Sequence, residues 1–340
     1  MTDLFSWIEK ARHKKSSGLI LRAQAVPQVF YLGVSQNLED RPLEVDELSH
    51  EIDGFLNPRE KNLLKEKGVL ASARPLHQGI IKFQVLGSRE DLMISFQWRN
   101  HQQEELSKWE IPQLLNSQIL KEGGLSLVVG PPASGRTAFI SRFCKEIARE
   151  KKGGVLICSQ DPEIELIPGA TRMTPSGLGA LVQNWHSPRT IIIDSSDPQA
   201  LLMAVELAER GMNVLLTMNG QDVLSLLRRL SYAHKNGLFE RTILSLQAGV
   251  ALRLLPGVDQ SPQCAQEVIL INSMVREMLL SGAFMEAQNH LKSEADKSGI
   301  RTLNQSLMNL LLKRKIDLKT GFSASLYPDE LDEMLKKVGI

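Results

Sequence analysis

Leu125-Ser126-Leu127-Val128-Val129-Gly130-Pro131-Pro132-Ala133-Ser134-Gly135-Arg136-Thr137 is the stretch on which the fold of this chain turns. An apolar run of strand length, Leu125–Val129, closes on a glycine, and beyond a short loop Thr137–Glu150 carries helical spacing. Strand, glycine-bounded loop and helix together form the setting of a phosphate-binding loop. Backbone N–H groups then face a concavity at a helix N-terminus, where the helix dipole adds positive potential. Gly130 and Gly135 permit the tight path, Ser134 lies inside the loop, and Thr137 offers a hydroxyl to Mg²⁺. The pattern G-x-x-x-x-G-K-[ST] is broken at one place, where Arg136 stands for lysine. The charge survives, but a planar fork replaces a compact ammonium. Without a ligand, the same run is an ordinary strand-to-helix turn.

Downstream, Gly154–Ile157, Thr190–Ile193 and Asn213–Thr217 are further continuous apolar runs, separated by helical stretches that include Ala200–Arg210 and Val223–Ala233. Strands apolar on both faces and alternating with helices predict an α/β fold with a parallel-rich sheet and right-handed crossovers. Upstream, the chain mixes signals. Leu4–Arg12, Val45–Leu56 and Pro58–Lys67 read as helices; Gly18–Arg22, Gln28–Leu32, Gly79–Leu86 and Leu92–Trp98 read as strands. From Asn272 onward the spacing is helical, over Met274–Leu280, Phe284–Glu294, Thr302–Leu312 and Pro328–Val338, with Thr302 and Gln305 placed for a capping box. The expected domains are 1–99, an α+β module; 100–112, a polar linker; 113–271, the phosphate-loop domain; and 272–340, a helical C-terminal extension.

Composition narrows the function. Lys plus Arg is 40 against 39 Asp plus Glu over 340 residues, a balance that argues against a nucleic-acid binder. The three cysteines stand far apart and the seven histidines show no metal-ligand spacing, so neither a zinc site nor a disulfide framework is expected. No apolar stretch approaches membrane-spanning length. A cytoplasmic protein is the expectation.

Nearly the whole chain resembles the type IV pilus retraction ATPases, the twitching-motility members of the secretion ATPase superfamily. Ser16-Ser17-Gly18-Leu19-Ile20-Leu21 is similar to the family's A-S-D-L-H-L, Leu56-Asn57-Pro58-Arg59-Glu60 to its L-T-P-E-Q, and Gly299–Leu307 to its G-M-x-T-L-D-Q-A-L. The resemblance implies a PAS-like N-domain, a RecA-like core and a hexameric ring working on the inner-membrane platform of a pilus machine. Its chemical boxes depart from the family one by one. Arg136 replaces the loop lysine. In Gln160-Asp161-Pro162-Glu163-Ile164, similar to E-D-P-I-E, Gln160 replaces the catalytic glutamate, and Glu163 or Glu165 would substitute only if the loop shifts. In Ile191–Asp197, similar to L-V-G-E-M-R-D, Asp194 matches the glutamate and would hold Mg²⁺ with Thr137; Asp197 reads as a helix cap. In Leu216-Thr217-Met218-Asn219-Gly220, Asn219 replaces the box histidine and Thr217 keeps a hydroxyl at the strand end.

Glutamine keeps the shape of glutamate but is a poor base. The resemblance therefore implies a degenerate member, slow or inactive as an ATPase, with Mg-ATP or ADP held by Gly130, Ser134, Gly135, Arg136, Thr137 and Asp194, if at all. The expected partners are further copies of itself or an active paralogue in a mixed ring, and the membrane platform protein. Two other outcomes stay open: a working motor with Arg136 in the role of lysine, and a nucleotide-free module that co-assembles with an active paralogue.

Overall fold

The computed structural model describes residues 4–31, 34–76, 79–87, 91–98, 123–150, 155–161, 164, 170–177, 179, 190–195, 199–233, 237–295 and 300–339. The expected linker 100–112 and residues Glu163, Glu165 and Asp197 lie outside them, as does Gly299 of the tail resemblance. The chain divides into two compact units, Met1–Glu104 and Glu105–Ile340.

In the first unit, α1 (Leu4–His13) buries Leu4, Trp7, Ile8 and Ala11, one stripe at helical spacing. Six strands follow as one antiparallel sheet: β1 (Gly18–Arg22), β2 (Gln28–Tyr31), β3 (Val34–Asn37), β4 (Val69–Leu76), β5 (Gly79–Leu86) and β6 (Met93–Trp98), in the order β3-β2-β1-β6-β5-β4. Helices α2 (Val45–Phe55) and α3 (Pro58–Lys67) stand between β3 and β4. A capping box between Asn57 and Glu60, with Pro58 in the first turn, starts α3; Gly68 at φ 68° ends it. Sequence reading passes over β4 because Pro75 interrupts it. Pro75 is tolerated there because β4 is an edge strand among the described residues.

The second unit is a seven-stranded sheet formed by β7 (Gly124–Gly130), β8 (Val155–Ser159), β9 (Ala170–Met173), β10 (Thr190–Asp194), β11 (Asn213–Asn219), β12 (Leu246–Pro256) and β13 (Pro262–Leu270). Their order is β13-β12-β7-β11-β10-β8-β9, parallel throughout except for β13. Alternate residues of each strand feed separate cores. Leu125, Leu127 and Val129 pack with α5 (Ala200–Glu209), α6 (Val223–Ala233), α7 (Leu238–Ser245), α8 (Ser273–Leu280) and α9 (Phe284–Glu294). Val128 packs on the other face with Phe139, Ile140 and Phe143 of α4 (Arg136–Glu150). Burial on both faces is what the unbroken apolar runs require.

The antiparallel pair β12–β13 and helix α7 are not anticipated by the sequence reading. Gln247 and Arg253 break the apolar character of β12, and its hairpin form depends on the non-local register Ala251↔Glu267. Leu255 and Ala265 of this pair form the floor for α10 (Leu303–Leu312), α11 (Leu318–Ala324) and α12 (Pro328–Lys337). The capping box expected at Thr302 and Gln305 is present, with both reciprocal bonds.

Candidate functional site

The parallel strands β7, β11, β10 and β8 bring their carboxyl ends to one edge, where open α/β sheets bind ligands. Backbone register fixes this: Asn219 lies opposite Gly130, and Asp194 opposite Ser159. Gly130 is required by space, because a Cβ there would stand 2.1 Å from Ser134 Oγ and 3.1 Å from the Leu252 carbonyl oxygen. The loop then turns, with Ser134 N–H donating to the Pro131 carbonyl at 3.2 Å. Ala133 (φ 62°) and Gly135 (φ 93°) are left-handed on either side of Ser134. Alternation of hand over a few residues is the backbone form of an anion-binding nest. Phe139 N–H bonds the Gly135 carbonyl at 2.9 Å and α4 begins. Ser134 is 3% exposed, and among the described residues its hydroxyl has no hydrogen-bond partner.

Arg136 is the first residue of α4 and is half-buried. Burial pulls its guanidinium below the usual range, and the charge of Asp194 acts in the opposite direction. The two therefore face one another electrically across the site, and the arginine stays a cation. Around them runs a continuous hydroxyl–carboxylate chain. Thr137 Oγ1 donates to Asp161 Oδ2 at 3.1 Å. Asp161 N–H donates to Ser159 Oγ at 2.9 Å, and Ser159 Oγ donates to Asp194 Oδ2 at 3.0 Å. Thr217 Oγ1 closes the chain on Asp194 Oδ1 at 2.7 Å.

Gly130, Ser134, Gly135, Arg136, Thr137 and Asp194 thus belong to one edge of the sheet. Gln160 is exposed, one residue beyond β8. Asn219, also exposed, ends β11, and its carbonyl accepts from Arg229 Nη2 at 2.9 Å. Sequence reading missed Asp161 and Ser159, the links between Thr137 and Asp194. A signal was available: a serine and an aspartate flank Gln160 at the end of an apolar strand.

The residues present fit a phosphate and a hard cation. The orphan Ser134 hydroxyl, the nest and Arg136 suit an anion; Thr137, Asp161 and Asp194 are all oxygen donors, as Mg²⁺ prefers. Among the described residues no group of three His, Cys, Asp or Glu is gathered for a metal, so such an ion would complete its shell with phosphate oxygens and water. Likewise among the described residues, no helix is long and apolar enough to cross a membrane.

The sequence matches no protein-family profile, and no curated protein sequence matches it. Solved structures do match. The pilus retraction motor PilT with bound ADP aligns over 98% of this chain and 100% of its own, with a TM-score of 0.72 and 20% identity. The ATPase DotB of Legionella pneumophila aligns over 94% of this chain and 95% of its own, with a TM-score of 0.70 and 17% identity. DotB of Yersinia pseudotuberculosis gives 0.66 at 16% identity, over 95% and 92% of the two chains. The chain shares its fold with the pilus retraction motor PilT and the ATPase DotB over nearly its whole length.

Proposed function

We propose that this protein is a degenerate homologue of the pilus retraction motor that binds nucleotide weakly and does not turn it over at a motor's rate. In this reading it serves as a regulatory or structural component of a type IV pilus or a related secretion machine. The observation that carries the reading is the contrast within one site. The scaffold of phosphate loop, Thr137, Asp161, Ser159, Asp194 and Thr217 is continuous, while Arg136, Gln160 and Asn219 stand where the resemblance calls for lysine, glutamate and histidine.

Arg136, the Ser134 hydroxyl and the loop N–H groups would hold the phosphates of ADP or ATP. Thr137, Asp161 and Asp194 would hold Mg²⁺, which supplies charge neutralisation when bound. Gln160 can orient a water but cannot take its proton. Asp161 and Asp194 already accept hydroxyl bonds from Thr137, Ser159 and Thr217, which fix their oxygens as structural acceptors. Loss of a single transition-state donor is worth about 2.7–4 kcal/mol, a hundredfold or more in rate, and losses within one catalytic unit do not simply add.

The N-terminal residues 1–99, the core 113–271 and the helical extension 272–340 would act as in a ring ATPase, in a homo-hexamer or a mixed ring with an active paralogue, in the cytoplasm and against an inner-membrane platform protein. Support for this assembly is the resemblance and the shared fold.

The test pairs two measurements on the full chain: calorimetric titration with ADP in Mg²⁺, and phosphate release from Mg-ATP with Arg136→Ala as the blank. Binding that weakens in Arg136→Ala, without release above the blank, is the expected result. Release above the blank overturns the degenerate reading and leaves a motor with Arg136 in the role of lysine. Absence of any binding overturns the nucleotide reading and leaves a module that joins rings empty.

A further inference from the structure

Away from the hydroxyl–carboxylate chain, two acids meet at the start of α6. Asp222 is the N-terminal cap of that helix: its Oδ1 accepts from Ser225 N–H at 2.7 Å and its Oδ2 from Ser225 Oγ at 2.6 Å. Glu267 reaches over from β13, and its Oε2 accepts from Val223 N–H, in the first turn of the same helix, at 3.1 Å. Asp222 is 7% exposed, and both acids line a small pocket closed by α9, α10 and α12. One helix N-terminus is therefore held by two carboxyl groups in a confined space.

The surrounding charges do not resolve the conflict. Arg253 on β12 lies in the field of both acids, half-buried, with a long 3.5 Å contact to the Gln221 carbonyl; among the described residues its Nε has no hydrogen-bond partner. Lys292 on α9 is committed to Glu330 on α12 at 2.6 Å. Arg301, whose backbone pairs with Val268 of β13, and Tyr327 line the same pocket.

We infer that Asp222 and Glu267 form a proton-operated clamp on the first turn of α6, tight when Glu267 is protonated and loosened when both are ionised. Burial first, and then the charge of Asp222, push the Glu267 carboxyl up to about 7, against the opposing effects of the Val223 N–H bond and Arg253. The clamp thus works in the neutral range. Its lever is short. Asn219 and Gly220 end one residue short of Asp222, Asn219 lies opposite Gly130 in the sheet, and Gly220 N–H faces the Gly130 carbonyl at 3.4 Å. Loosening α6 would free the loop that flanks the phosphate-binding turn; this last consequence rests on the function proposed above, whereas the clamp does not.

The experiment is amide hydrogen exchange on the nucleotide-free full chain, reading residues 223–225 at pH 6 and pH 8 after correction for intrinsic rates. A carboxyl that titrates near 7 in the closed helix and near 4.5 when released predicts that local opening becomes about tenfold more frequent between these pH values. Glu267→Gln mimics the protonated form and keeps the acceptor, so it should abolish the dependence. Asp222→Asn keeps a competent cap and should move the midpoint to lower pH. Protection that does not change with pH in the parent protein, or that changes equally in Glu267→Gln, overturns the clamp. A titration of ADP affinity with pH is read separately: a working clamp with no change in affinity refutes only the coupling to the phosphate loop.

Discussion

Replacing Thr217 with valine would delete a single hydroxyl from the edge of the sheet and leave the packing volume in place. Thr217 is 2% exposed and donates to Asp194 Oδ1 at 2.7 Å. The loss is a hydrogen bond to a carboxylate, worth about 1.5–3 kcal/mol. Asp194 is partly exposed, so water recovers some of the lost solvation, and the expected cost falls to about 2 kcal/mol. Ser159→Ala removes two bonds, the 3.0 Å donation to Asp194 Oδ2 and the 2.9 Å acceptance from Asp161 N–H, with an expected cost of about 2–3 kcal/mol. Because both hydroxyls act on one carboxylate, the double variant should depart from the sum of the single costs by at least about 0.5 kcal/mol. Urea unfolding followed by circular dichroism measures each cost, and hydrogen exchange over 190–194 and 213–219 assigns the transition to the second unit. If Thr217→Val lies within about 0.5 kcal/mol of the parent and the two substitutions add strictly, Asp194 is not held as described and the network argument fails.

Gly130→Ala should abolish ADP binding in calorimetry, since its Cβ would meet Ser134 Oγ at 2.1 Å and the Leu252 carbonyl at 3.1 Å; affinity unchanged within twofold would contradict the loop geometry. In the first unit, Arg74→Met should lower stability by about 3 kcal/mol in thermal melts. Arg74 pairs with the 8%-exposed Glu60 at 2.7 Å, and its removal leaves that carboxylate buried without its cation. Stability should also fall as pH rises from about 4.5 to about 7. Glu267 titrates at about 7 in the folded chain against 4.5 unfolded, so the folded state binds the extra proton in this window. The contribution is present in full below the unfolded value and is lost through the folded one, on the order of 3 kcal/mol in all, and Glu267→Gln should flatten the profile. Asp259, Asp317 and Glu209 are shifted down by local hydrogen bonds, so they act at more acidic pH.

The parallel core is written in the sequence by local means. The apolar runs at Leu125, Thr190 and Asn213 became β7, β10 and β11 because a strand buried on both faces must be apolar at every position. The loop Gly130–Thr137 was legible for a similar reason, since glycines at 130 and 135 answer to steric demands a few residues away. Caps were equally local, as Asn57 with Glu60 and Thr302 with Gln305 show. Edge strand β4 and the pair β12–β13 were not legible. Pro75, Gln247 and Arg253 contradict a strand locally, and only their place in the sheet makes them acceptable.

The sequence by itself determined the α/β class, the loop at Gly130–Thr137 and the placing of Arg136, Gln160 and Asn219 at helix start and strand ends. Tertiary structure alone decided that Thr137, Asp161, Ser159, Asp194 and Thr217 form one chain, and that Glu267 reaches the first turn of α6. Periodicity and turn chemistry act over a few residues, whereas the bonds Thr137–Asp161, Ser159–Asp194, Thr217–Asp194 and Val223–Glu267 join positions 23 to 44 residues apart. Their partners are chosen by strand order and register, which no local pattern specifies.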